Sequence, residues 1–103
     1  MENKMLTKKF FKTKDEAEVT FKFSRDDVES VALIAEFNDW QPIDMKFNKK
    51  EKAFCTKIRL PKNEKFQFKY LLNGTEWEND YQADKYTPNS FGTEDSVVLT
   101  HSS

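Results

Sequence analysis

The sequence predicts an all-β domain built as an antiparallel sandwich, and three observations carry that expectation. Apolar and polar residues alternate at period two in several separate stretches. Turn-forming residues separate those stretches at short intervals. No stretch carries the 3.6-residue apolar spacing of an amphipathic helix.

In residues 18–24, Val19, Phe21 and Phe23 fall on one face, with Thr20 and Lys22 on the other. In residues 31–37, Val31, Leu33, Ala35 and Phe37 share a face. In residues 53–60, Phe54, Thr56, Ile58 and Leu60 alternate with Cys55, Lys57 and Arg59. In residues 65–72, Phe66, Phe68, Tyr70 and Leu72 alternate with Gln67, Lys69 and Leu71. Residues 96–99 read as a short last strand. Such alternation places one face of a sheet on a core and the other in water. Turn signals fall at 24–27, 38–42, 48–52 and 61–64, and at Asn73-Gly74, where both residues tolerate positive φ. Residues 1–15 read as an arm or an edge strand, with Leu6, Phe10 and Phe11 among lysines. Residues 16–100 form the sandwich, and 101–103 a frayed tail.

Composition narrows the function. The 103 residues fit one domain, and ten phenylalanines supply much of its core. Lys plus Arg is 17 against 18 for Asp plus Glu, a balance that argues against nucleic acid as a partner. The one cysteine, Cys55, leaves no internal disulfide to form. No apolar run has the length of a signal peptide or of a membrane span, so no membrane partner and a cytoplasmic setting are expected.

Catalysis finds little to work with. The single histidine is His101, in the tail, so a nucleophile–histidine pair or a zinc site of usual composition is not expected. Two isolated glycines do not make a phosphate loop, and no cofactor is expected. The 18 acids will fall near one another by chance, so a glycosidase-like pair carries little weight. A non-enzyme is the expectation.

The tryptophans are more informative. Trp40 ends the run Phe37-Asn38-Asp39-Trp40 in a turn, and Trp77 stands among Glu76, Glu78, Asn79 and Asp80. Each could simply cap an end of the core. Together they could instead form a flat platform for pyranose rings, whose C–H faces are apolar and whose edges need polar partners. Lys69 lies opposite the apolar face of its strand and would point to solvent. Thr93 and Asp95 follow Gly92 in a polar loop, where their ordinary role is turn chemistry.

These residues form an ordered set that resembles a known family. Phe37-Asn38-Asp39-Trp40 comes first, then Phe66-Gln67-Phe68-Lys69-Tyr70, then Asn73-Gly74 with Trp77 and Asp80. The run from Asn89 through Phe91-Gly92-Thr93 to Val98 closes it. Residues 31–98 thus resemble the glycogen-binding domain of the AMP-activated protein kinase β-subunit. They are also similar to the early-set domains of isoamylases and glycogen branching enzymes. The resemblance implies an immunoglobulin-like sandwich that binds an α-glucan such as glycogen or starch without catalysis. It assigns the contacts to Trp40, Lys69, Trp77, Phe91, Thr93 and Asp95. Phe91 stands where the family has leucine, and Asp95 where it has asparagine; when ionised, an aspartate accepts hydrogen bonds but does not donate them. The longer segment 81–89 would bring Tyr81 and Tyr86 near this site. A glycogen-metabolising enzyme is a candidate companion. The rival reading is a protein-interaction adaptor that uses the N-terminal arm, and a small hydrolase is a third.

Overall fold

The computed structural model describes residues 6–89 and 92–101. Two antiparallel sheets pack as a sandwich of the immunoglobulin-like class. The first sheet holds β1 (Leu6–Phe10), β2 (Glu16–Phe23), β6 (Ala53–Pro61) and β5 (Lys46–Asn48), in the order β1-β2-β6-β5. The second holds β4 (Pro42–Asp44), β3 (Val31–Ala35), β7 (Lys65–Leu72), β10 (Glu94–Leu99) and β9 (Lys85–Pro88), in the order β4-β3-β7-β10-β9. The short β8 (Glu76–Glu78) also pairs with β7.

The inward faces follow the alternation in the sequence. Val19, Phe21 and Phe23 of β2 meet Phe68, Tyr70 and Leu72 of β7, with Val31, Leu33 and Ala35 of β3. Phe21 lies edge-on to Phe68 across the two sheets, with ring centroids 5.1 Å apart, and Phe23 lies 5.1 Å from Tyr70. Ring pairs of this kind add about 0.5–1.5 kcal/mol to the area they bury.

Three local differences from the sequence expectation have clear causes. The strand over 31–37 ends at Ala35, because Glu36–Asn38 closes a single 3₁₀ turn. Phe37 therefore leaves the strand, yet its ring still packs on Phe21 and Phe66, at 5.9 and 5.6 Å. The strands β4, β5, β8 and β9 have only three or four residues each, too few for alternation to register. Finally, β10 begins at Glu94, so Asp95 stands on a strand and not in a loop.

The hairpin at Asn73-Gly74 joins β7 to β8, with φ of 51° and 73°. Asn73 does more than tolerate that φ. Its Oδ1 accepts the Glu29 and Ser30 amides at 2.8 and 3.1 Å, which ties the turn to the start of β3.

One polar group is set deep in this apolar frame. Asp80 has no exposed surface. Its Oδ2 accepts the Tyr70 hydroxyl at 2.8 Å, and its Oδ1 accepts the Gln82 amide at 2.8 Å. Its own amide donates to Ser96 Oγ at 2.8 Å, and Tyr86 donates to its carbonyl at 2.5 Å. Burial pushes the Asp80 carboxyl above the usual carboxylate range, against the pull of the Gln82 amide and the Tyr70 hydroxyl. Burial likewise pushes the Tyr70 hydroxyl well up, so it remains a donor. Among the described residues no helix is long and apolar enough to cross a membrane.

Two outcomes follow for the buried pair. Tyr70→Phe removes the donor and leaves a carboxylate oxygen buried without its partner, which costs about 1–3 kcal/mol in urea denaturation. Asp80→Asn changes the pH profile. A carboxyl with a raised folded pKa favours the folded state most at low pH, and that contribution is lost as pH rises through the folded value. The melting temperature of Asp80→Asn relative to wild type should therefore rise from about pH 4 to about pH 7.5. A pH-independent difference would contradict the assignment.

Candidate functional site

The outward residues of the second sheet form one side of a groove of about 820 Å³. Ile34 of β3, Gln67 and Lys69 of β7, and Asp95 of β10 line it, together with Trp40, Trp77, Asn89 and Thr93. The register explains the grouping. Ile34 pairs directly with Lys69, and Val97 with Gln67, so β3, β7 and β10 offer neighbouring outward side chains. Ile34 is 5% exposed although it faces away from the core. It gives the groove an apolar element between polar ones.

Trp40 is held outward by the backbone. The 3₁₀ turn ends in two consecutive left-handed residues, Asp39 at φ 53° and Trp40 at φ 61°. The Trp40 amide donates to the Ala35 carbonyl at 2.9 Å, and the Gln41 amide to the Asn38 carbonyl at 3.0 Å. The Asn38 amide group donates back to the Gln41 carbonyl at 3.1 Å. Glu36 Oε1 accepts the Gln67 amide at 3.1 Å and ties the turn to β7. Aspartate visits this region readily, but a bulky tryptophan there is an outlier that costs on the order of 1–2 kcal/mol. The residue is nonetheless 45% exposed and lines the groove.

Trp77 is held outward by charge pairing on the strand's other face. It sits in the middle of β8, opposite Leu71 of β7, and is 55% exposed. Its neighbours Glu76 and Glu78 point the other way. Arg25 grips Glu76 with Nη1 and Nη2, at 2.9 and 3.1 Å, and reaches Glu78 at 3.5 Å. Its Nε donates to Asp27 at 2.7 Å. The Arg25 hydrogen bonds hold the Glu76 and Asp27 carboxyls below their usual range.

The polar wall is a hydrogen-bonded cluster. Lys69 Nζ lies 3.4 Å from Thr93 Oγ1 and 3.7 Å from Asp95 Oδ1. The Asn89 side-chain amide donates to Thr93 Oγ1 at 2.8 Å and to Asp95 Oδ1 at 2.9 Å. In return, Asn89 Oδ1 accepts the Thr93 amide at 3.2 Å and its hydroxyl at 3.1 Å.

Five of the six site residues expected from sequence thus line one groove: Trp40, Lys69, Trp77, Thr93 and Asp95. Phe91 lies outside the described residues. Two expectations are corrected. Lys69 does not extend freely into solvent; its side chain is 17% exposed, because Thr93 and Asp95 cover its end. Tyr81 and Tyr86 are not in the groove lining. Tyr81 packs toward Phe23, and the Tyr86 hydroxyl is spent on Asp80. Sequence reasoning missed Ile34, Gln67 and Asn89 as lining residues. Ile34 and Gln67 were open to the strand register alone, since they share the outward phase of Lys69. Asn89 stood at the start of the run 89–98 with no role assigned to it.

Chemically, the groove offers two flat rings, an apolar floor element, and donors and acceptors along one wall. Asp95 is the one carboxylate among its lining residues. Among the described residues, no group of three His, Cys, Asp or Glu could hold a metal ion.

The Arg25 clamp has a measurable consequence. Arg25→Met should raise hydrogen-exchange rates for the amides of β8 and of the facing end of β7, around Trp77 and Leu71. Amides of Phe21 and Phe68 in the core should keep their protection. Unchanged exchange at Trp77 would show that the clamp does not hold β8.

No protein-family model matches this chain and no curated protein matches it, so the groove is read from its residues and geometry.

Proposed function

We propose that this domain is a non-catalytic α-glucan-binding module, and that the groove between Trp40 and Trp77 takes a stretch of glycogen or starch chain. One observation supports this above the others: two tryptophans stand exposed at a single groove, each held there by a separate device. Trp40 keeps a strained left-handed backbone while leaving its ring in water. Strain retained beside an exposed aromatic points to a binding role. The two residues are 45% and 55% exposed, which leaves surface for a ligand to cover.

The chemistry suits a pyranose chain. Ring C–H faces lie on the indoles, while Lys69, Thr93 and Asp95 bond the hydroxyl edges. The ordered likeness to glycogen-binding domains of kinase β-subunits gives the same assignment. Phe91, next to Gly92, would add an apolar contact. A shallow open site of this kind binds weakly, with Kd of order micromolar to millimolar. The rival adaptor reading relied on the N-terminal arm, where the described apolar residues Leu6, Phe10 and Phe11 are buried or half-buried. Leu6 is buried, β1 pairs along β2, and Arg59 stacks over Phe11 at 4.9 Å.

Native electrophoresis in gels with and without glycogen tests the proposal. Glycogen should retard the wild type. Trp40→Ala and Trp77→Ala should each lose about 2 kcal/mol, or ~30-fold in affinity, while circular dichroism shows them folded. A folded wild type that runs unretarded at high glycogen would overturn the glucan reading and put the adaptor first.

A further inference from the structure

Lys69 and Asp95 are the charged residues among those lining the groove, one of each sign. Their charged atoms are 3.7 Å apart, and their side chains are only 17% and 12% exposed. A pair this close and this covered is screened less by salt than a surface pair. Asn89 fixes it: its amide donates to the same Asp95 oxygen that faces Lys69, at 2.9 Å. The carboxylate is thus held beside the ammonium and not free to swing away. Thr93 completes the arrangement by meeting both Lys69 and Asn89.

The electrostatic result is a polar wall that bonds hydroxyls but carries no net charge. A neutral sugar hydroxyl can donate to Asp95 or accept from Lys69. An anionic group at the same place meets an attraction and a repulsion of similar size. It also meets the electron-rich faces of Trp40 and Trp77, which disfavour negative charge. The whole chain, at a formal charge of −1, supplies no background positive field.

We propose that Asp95 sets the charge selectivity of the groove: paired with Lys69 and oriented by Asn89, it restricts the site to uncharged glycans and turns away phosphorylated or sulfated ones. This rests on the glycan reading of the same groove. Without Asp95, Lys69 would be a lone ammonium in an aromatic groove, a site suited to an anion.

The test is a titration of wild type and Asp95→Asn with two ligands, maltoheptaose and a maltoheptaose bearing a phosphate monoester, followed by amide and tryptophan NMR shifts. Wild type should favour the neutral chain. In Asp95→Asn the ratio of phosphorylated to neutral affinity should move toward the phosphorylated chain by ~10-fold at low salt, and this gain should shrink as salt rises. Adding Lys69→Met to Asp95→Asn should abolish the gain. Equal binding of both chains by wild type, or an unchanged ratio in Asp95→Asn, would overturn the proposal. If wild type binds neither chain, the glycan reading has failed, and inorganic phosphate becomes the probe for the charge assignment. Phosphate-induced shifts at Lys69 and Thr93 in Asp95→Asn but not in wild type would uphold the charge role of Asp95. Their absence would overturn it as well.

Discussion

The groove depends on a carboxylate that never touches it. Asp80 is buried under the second sheet, where an unsatisfied charge would cost several kcal/mol. It is tolerated because Tyr70 donates to it from β7, the central strand. This bond fixes where the chain goes after β8. Asp80 lies three residues past Trp77, and its neighbours continue into β9 and the Asn89 turn. Strand β10 then uses its alternation twice. Ser96 points inward and accepts the Asp80 amide, while Asp95 points outward and faces Lys69. The floor of the core and the wall of the groove are therefore set by adjacent residues of one strand.

The two tryptophans are presented by opposite means, and the difference has physical content. Trp40 relies on backbone geometry: a tight turn places two left-handed residues in a row, and its closing hydrogen bonds fix where the Trp40 backbone leaves the sheet. Trp77 relies on strand alternation, with Arg25 gripping the glutamates on either side of it. The first device is anchored to β7 through Glu36 and the second through the β7–β8 pairing. Both rims thus refer back to the same strand, which also carries Lys69. A site built on one rigid strand keeps its spacing better than one built on independent loops.

Much of this was legible in the sequence, and the exceptions are instructive. The long strands could be read because Val19-Phe21-Phe23 and Phe68-Tyr70-Leu72 alternate over enough residues to fix a face. The strands β4, β5, β8 and β9 escaped because three residues carry no period. Trp40 and Trp77 could be singled out as exposed from their turn and acidic surroundings. Their meeting at one groove was an expectation of the family likeness, since strand pairing is not written locally. The Lys69–Asp95 contact was hidden for the same reason: Lys69 reads as an ordinary surface lysine until β10 is laid beside β7. Asn89 was missed because its role depends on Thr93 and Asp95 facing it across a turn.

That hidden pairing also gives Asp95 a setting that the sequence alone does not show. A carboxylate alone would lack a donor and would add a charge. Here Asn89 supplies an amide group to the cluster, and Lys69 cancels the charge. Donor and acceptor types are both present on the wall, distributed over three residues. Asp95 is a member whose removal alters charge and not only hydrogen bonding. A charge that looks isolated in the sequence is, in the folded groove, one part of a hydrogen-bonded cluster with no net charge.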